Sequence, residues 1–124
     1  MSLFENVKKN FGLGCMRLPM KGDEVDCGEF CRMVDYFMES GFNYFDTARV
    51  YLGTKSESAI RDCIVRRYPR ESFILTDKLS SSLFNSEEEI RPLFELQLES
   101  CGVDYFDFYL MHAQSKKIFE KYKK

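Results

Sequence analysis

What most restricts the possible folds of this chain is a regular switching of hydrophobic period along it. Four short runs read as strands: "FGLGCM" at 11–16, "FNYF" at 42–45, "SFILTDK" at 72–78 and "YFDFYLMH" at 105–112. Between them, apolar residues recur at the three- and four-residue spacing of a helix. The first helix is expected over 28–40, with Phe30, Met33, Val34 and Phe37 on its apolar face and Gly41 as the stop. The second spans 56–68, with Ile60, Cys63 and Ile64 inward and Pro69 ending it. The third leads off from Ser86 and Glu89, which have capping-box spacing, and lines Ile90, Phe94, Leu98 and Cys101 along a buried face up to Gly102. Pro92 is an objection, since a proline beyond the first turn removes a hydrogen bond and clashes with the turn before it. Either the helix kinks there or its regular part starts later.

Pro19 and "KGDE" close the first strand into a loop. The fourth strand is bulky enough throughout to be buried on both faces. After it, "SKKIFEKYKK" at 115–124 starts another helix, with Ile118, Phe119 and Tyr122 on one side and the lysines on a solvated face. Strands alternating with helices imply parallel strands joined by right-handed crossovers, an α/β architecture. The 124 residues suit one domain with a modest core.

A formal net charge of −2 argues against a nucleic-acid partner, because neutralising phosphates takes a concentrated basic face. No apolar run approaches the roughly 20 residues that cross a bilayer, and the N-terminus has no signal-peptide core, so a cytoplasmic protein with no membrane partner is expected. Five cysteines, an odd number at core-like positions, fit reduced thiols better than a disulfide framework. Cys27 and Cys31 lie one helical turn apart but have no further ligand nearby in sequence, so no metal site is expected. Gly12 and Gly14 form a lone GxG with no third glycine and no helix directly following, which argues against a Rossmann phosphate loop.

In parallel α/β folds the working residues gather at the carboxyl ends of strands. Asp46 ends the second strand, Lys78 the third and His112, the single histidine, the fourth; Tyr51 follows Asp46 in the loop. Singly, each has a plain structural reading: a turn aspartate, a surface lysine, a loop aromatic, a half-buried histidine. Together they describe a proton-delivery site. A phenol is a poor donor at neutral pH because its free pKa is about 10. An ammonium about 4 Å away, at an effective dielectric near 20, favours the phenolate by about 4 kcal/mol. Lys78 is the candidate ammonium, Asp46 the group that keeps it charged and oriented, and His112 a hydrogen-bonding group that aligns a polar substrate atom or passes on a proton. No nucleophile–base pair of the hydrolase type is present. Delivering a proton to a carbonyl oxygen calls for a hydride donor as co-reagent, which a polypeptide must borrow as a cofactor.

"FGLGCMRLP", "GFNYFDTARVYLGTKSES", "YPRESFILTDKL" and "DYFDFYLMH" resemble, in order and spacing, segments of the aldo-keto reductase superfamily, most closely its bacterial members with a C-terminal iron-sulfur domain. The resemblance covers nearly the whole chain. It implies a (β/α)₈ barrel of the TIM type that reduces aldehydes or ketones with NADPH, with Tyr51 as proton donor and Asp46, Lys78 and His112 supporting it. It also places Gly14, Cys15 and Met16, with Asp46, beside the nicotinamide. An eight-stranded barrel needs about 250 residues. Residues 1–124 are therefore expected to be a truncated N-terminal half of about four βα units, lacking the later strands that supply most contacts to the cofactor's phosphates and adenine. Weak or absent NADPH affinity follows for the chain alone. The alternative is a non-catalytic half-barrel remnant that binds a partner or itself. Its open strand edges predict self-association in either case.

Overall fold

The computed structural model describes residues 5–9 and 11–112. The lysine-rich helix expected over 115–124 lies outside the described residues. Strand β1 (Gly12–Gly14) leads into a small hairpin, β2 (Met20–Lys21) and β3 (Glu24–Val25), then into helix α1 (Cys27–Glu39). Strand β4 (Tyr44–Asp46) follows, then a turn over Tyr51–Thr54 and helix α2 (Lys55–Ile60), which continues as a π-helical turn over Arg61–Val65. Strand β5 (Ile74–Leu79), helix α3 (Ile90–Cys101) and strand β6 (Phe108–Met111) complete the order.

Four strands form one parallel sheet in the order β1-β4-β5-β6. The register sets Gly14 opposite Asp46, Asp46 opposite Thr76, and Lys78 opposite Leu110. Since strand side chains alternate between faces, Phe45 and Leu75 point one way and Tyr44, Asp46, Thr76 and Lys78 the other. The first set joins Phe30, Val34, Ile60, Cys63, Ile64, Phe73 and Cys101 in the core under the helices. Burying each large side chain there contributes roughly 1.5–3 kcal/mol. On the opposite face the rings of Tyr44 and Phe108 stack, and the Tyr44 hydroxyl meets Thr76 Oγ1 at 2.6 Å. Gly12 lets that ring lie flat, for a Cβ there would stand 2.8 Å from Tyr44 Cδ1.

α1 starts at Asp26, whose carboxylate accepts the Glu29 N–H at 3.2 Å, an N-cap bond. Its buried residues are Phe30, Val34 and Phe37; Met33, expected inward, is 37% exposed at the edge of the stripe. Pro92 falls in the first turn of α3, where its missing N–H has no helical acceptor, so the helix begins late rather than kinking. The capping box does not form, since the Ser86 side chain caps no N–H and instead donates to Glu89 Oε2 at 3.3 Å. The inward residues of α3 are also redistributed: Gln97 and Cys101 are fully buried, while Ile90, Phe94 and Leu98 are half-buried. At the far end Gly102, with φ +73°, supplies the left-handed cap.

Two expectations fail on neighbours that sequence does not display. "KGDE" makes the β2–β3 hairpin rather than an open loop, pairing Met20 with Val25 and Lys21 with Glu24. β6 is not buried on both faces: among the described residues it is an edge strand, and Leu110 and Met111 are 45% and 48% exposed.

Candidate active site

The parallel register brings distant residues to one rim. Asp46 is the last residue of β4, Lys78 the last but one of β5, and His112 the first after β6. Asp46 and Lys78 share a sheet face, so their side chains reach across the β4–β5 pair. Lys78 is only 9% exposed, and a buried ammonium is costly unless its protons are taken up. All three are: Nζ donates to Asp46 Oδ2 at 2.8 Å, to the Thr47 carbonyl at 2.8 Å and to the Tyr51 hydroxyl at 3.1 Å. With its oxygen accepting from the lysine, the Tyr51 phenol directs its own proton elsewhere.

His112 adjoins this trio. Its ring stands perpendicular to that of Tyr51 with centroids 5.6 Å apart, and Nδ1 shares a 2.8 Å hydrogen bond with Ser80 Oγ, which fixes the ring plane. Burial first, then the Lys78 ammonium, hold the imidazole below its ordinary pKa, while Asp46 works the other way. The ring is thus neutral near pH 7.

Tyr51 is presented by an unusual turn. Leu52, Gly53 and Thr54 all have positive φ, at 52°, 60° and 78°. A left-handed stretch in two non-glycine residues stores strain of about 1–2 kcal/mol each. Such strain accumulates where a site requires it. α2 follows at once, and its Ser56 Oγ donates to the Cys15 carbonyl at 2.7 Å while lying 2.6 Å from Thr47 Oγ1. The ends of β1 and β4 are thereby tied to one helix start.

Behind the rim lies a buried polar layer that sequence reading missed. Asp77 Oδ1 accepts the Lys78 N–H at 2.8 Å, and Gln97 Nε2 donates to the Lys78 carbonyl at 3.0 Å and to Glu57 Oε2 at 3.1 Å. Arg49, in the loop between Asp46 and Tyr51, donates to Glu57 Oε1 at 2.9 Å and to Ser100 Oγ at 2.8 Å. The peptide groups flanking Lys78 are therefore gripped from both sides. Glu57 and Asp77 are both fully buried, with carboxylate oxygens within 4.8 Å of each other; burial first, then Glu57, raise the Asp77 carboxyl far above the usual range. The available signal was polarity on an apolar face: Asp77 shares a strand face with Leu75 and Leu79, and Gln97 falls among the apolar positions of α3.

Of the residues expected beside a cofactor, Gly14 and Met16 flank the rim next to Asp46. A Cβ on Gly14 would meet nothing within 4 Å, and Met16 is 48% exposed. Cys15 differs. Its side chain is wholly buried, its S–H donates to the Leu13 carbonyl at 3.7 Å, its N–H bonds Asp46 O, and burial pushes its thiol up to about 12. Cys15 therefore shapes the rim from below without offering its thiol to a ligand. Among the described residues, the candidate metal-ligating group is Glu57, Asp77 and Cys101, and both Glu57 oxygens already accept hydrogen bonds from Arg49 and Gln97.

Residues 10–118 match the sequence profile of the Aldo/keto reductase family. The chain belongs to that family. Among similar aldo/keto reductase relatives, the 4-dihydromethyl-trisporate dehydrogenase of Mucor mucedo is 33% identical over 106 residues, covering 82% of this chain and 30% of that protein. The NAD(P)H-dependent D-xylose reductase of Pachysolen tannophilus is 30% identical over 106 residues, covering 82% and 29%. Solved aldo-keto reductases share the fold: one from Bacillus halodurans at TM-score 0.73, 24% identity and 94% of this chain against 41% of that one, and one from Klebsiella pneumoniae in complex with NADPH at 0.70, 20%, 90% and 39%. The four-stranded sheet with its helices is part of a TIM-type barrel architecture. The chain spans about 30% of the length of the curated relatives it matches.

Proposed function

We propose that residues 11–112 supply the first four strands of an aldo/keto reductase barrel and the proton-transfer half of its active site, acting on an aldehyde or ketone with NADPH. The observation that carries this reading is Lys78 Nζ, within hydrogen-bond distance of both Asp46 Oδ2 and the Tyr51 hydroxyl at adjacent strand ends. When bound, NADPH supplies the hydride. Open surface at Gly14 and Met16 beside Asp46 suits a flat ring lying against the rim. The remaining work belongs to the side chains. Tyr51 donates its phenolic proton to the carbonyl oxygen, and Lys78 stabilises the negative charge left on the phenol. Asp46 orients Lys78 through their 2.8 Å ion pair, and neutral His112 orients the carbonyl oxygen. The contacts to the cofactor's phosphates and adenine are assigned to other strands of the barrel.

The test is NADPH oxidation with an aromatic aldehyde at high cofactor concentration. Oxidation is expected only with aldehyde present, and Lys78→Met is expected to lower it by about 10²-fold or more. Oxidation that does not depend on aldehyde, or an equal rate in Lys78→Met, would overturn the reading for these residues.

A second reading rests on a different observation. Among the described residues, β1 and β6 are open edges, Phe11 is 64% exposed, and an apolar groove of about 240 Å³ lies between α1 and β1, lined by Leu13, Met33, Tyr36, Phe37 and Phe42. Unpaired edges with apolar flanks favour association. A second copy is the proposed occupant, giving a dimer or larger species in sedimentation at micromolar concentration; a clean monomer contradicts it.

A further inference from the structure

Three of the five cysteines take no part in the site and lie together. Cys27 opens α1, Cys31 follows one turn later, and Cys63 lies in the π-helical turn that prolongs α2. They grade inward: Cys27 exposed, Cys31 half-buried, Cys63 wholly buried. The Cys63 thiol donates to the Cys27 carbonyl at 3.5 Å, and the Cys31 and Cys27 thiols are its ionisable neighbours. Arg67 fastens the two helices at this point. Its Nη1 donates to the Cys31 carbonyl at 3.4 Å and the Cys63 carbonyl at 3.0 Å, while Nη2 meets both Asp35 oxygens at 2.7 Å. Cys27 also lines a pocket of about 180 Å³ with Glu24, Lys55, Ser58 and Asp62, wide enough for a small polar oxidant.

We propose that Cys27, Cys31 and Cys63 form a peroxide-responsive thiol–disulfide site joining α1 to α2. Exposure makes Cys27 the entry point. Hydrogen peroxide transfers one oxygen to the Cys27 sulfur as its O–O bond breaks, leaving a sulfenic acid and water. Burial first, then the neighbouring Cys31 thiol, hold the Cys63 thiol protonated, so resolution is the slow step: as Cys63 gives up its proton its sulfur attacks the Cys27 sulfur, the S–S bond forms, the S–O bond breaks, and hydroxide leaves with that proton as a second water. Cys31, beside Cys63, exchanges into that bond and returns Cys27 to the thiol. Overall, two thiols and one peroxide give one disulfide and two waters. Cys15 and Cys101 are sealed in the core, Cys101 donating to Asp77 Oδ2 at 3.8 Å.

Treating the whole chain with peroxide, denaturing, alkylating and mapping peptides by mass spectrometry tests this directly. From the five thiols of the sequence, two are expected to become unreactive, dithiothreitol should restore them, and the cross-linked peptide should join Cys63 to Cys31 or Cys27. Cys27→Ser should slow the loss by about tenfold, since the exposed entry point is gone, and Cys101→Ser should leave it unchanged. Retention of all thiols, a bond that includes Cys15 or Cys101, a bond between two chains, or sulfinic acid without a cross-link would each overturn the proposal.

Discussion

Lys78 shows how one side chain ties sequence to chemistry. Its three protons are taken up by Asp46, Thr47 and Tyr51, and its own peptide N–H and C=O are held by Asp77 and Gln97. Asp77 makes a pH prediction. Its folded carboxyl sits far above the unfolded value of about 3.9, so the folded state binds one proton more between the two. Stability is greatest below the unfolded pKa and declines as pH rises toward the folded one, by up to about tenfold in the folding constant per pH unit. His112 acts with the opposite sign, because its depressed pKa makes the unfolded state the better proton binder and stability falls as pH drops below about 6.5. Denaturant midpoints from pH 5 to 8 should separate the two. Asp77→Asn is expected to flatten the decline toward high pH and leave the acid-side loss in place; an unchanged slope would mean that Asp77 is ionised. The meeting of Asp46, Lys78 and His112 at neighbouring strand ends, with Tyr51 in the loop after Asp46, was legible as a placement because strand ends are legible. Thr47 and Ser80 were not, since one acts through a backbone carbonyl and the other through a hydroxyl with no spacing signature.

Among the elements, the Tyr51–Thr54 turn carries the sharpest consequence. Thr54 is exposed, caps nothing with its side chain and has φ +78°, so its β-branch brings strain without a compensating contact. Thr54→Gly removes that strain, partly offset by the greater freedom of glycine in the unfolded chain, and is expected to stabilise the fold by about 0.5–1 kcal/mol. Thermal or urea unfolding checks it; destabilisation would show that the turn does not hold this backbone. Helices and strands were readable where an apolar stripe met a clear stop, as at Phe30, Val34, Phe37 and Gly41. Reading failed where burial depends on what packs opposite. Met33 turns outward, Gln97 goes inward because Glu57, Lys78 and Tyr109 await its amide, and β6 is exposed because among the described strands it is paired on one side only.

For the molecule as a whole, alternation alone dictated a parallel sheet with helices against one face. It did not distinguish an open sheet from part of a barrel, since that depends on how later strands close the curve. The family match supplies the barrel, and this chain covers about 30% of its curated relatives. What the described residues do contain is a rim at which an acid, a phenol, an amine and an imidazole meet. Comparing Tyr51→Phe with wild type, in single-turnover aldehyde reduction with NADPH binding followed by cofactor fluorescence, tests this most directly. A rate lower by about 10²–10⁴-fold with unchanged cofactor affinity is predicted; a rate unaffected by loss of the hydroxyl would contradict Tyr51 as the proton donor.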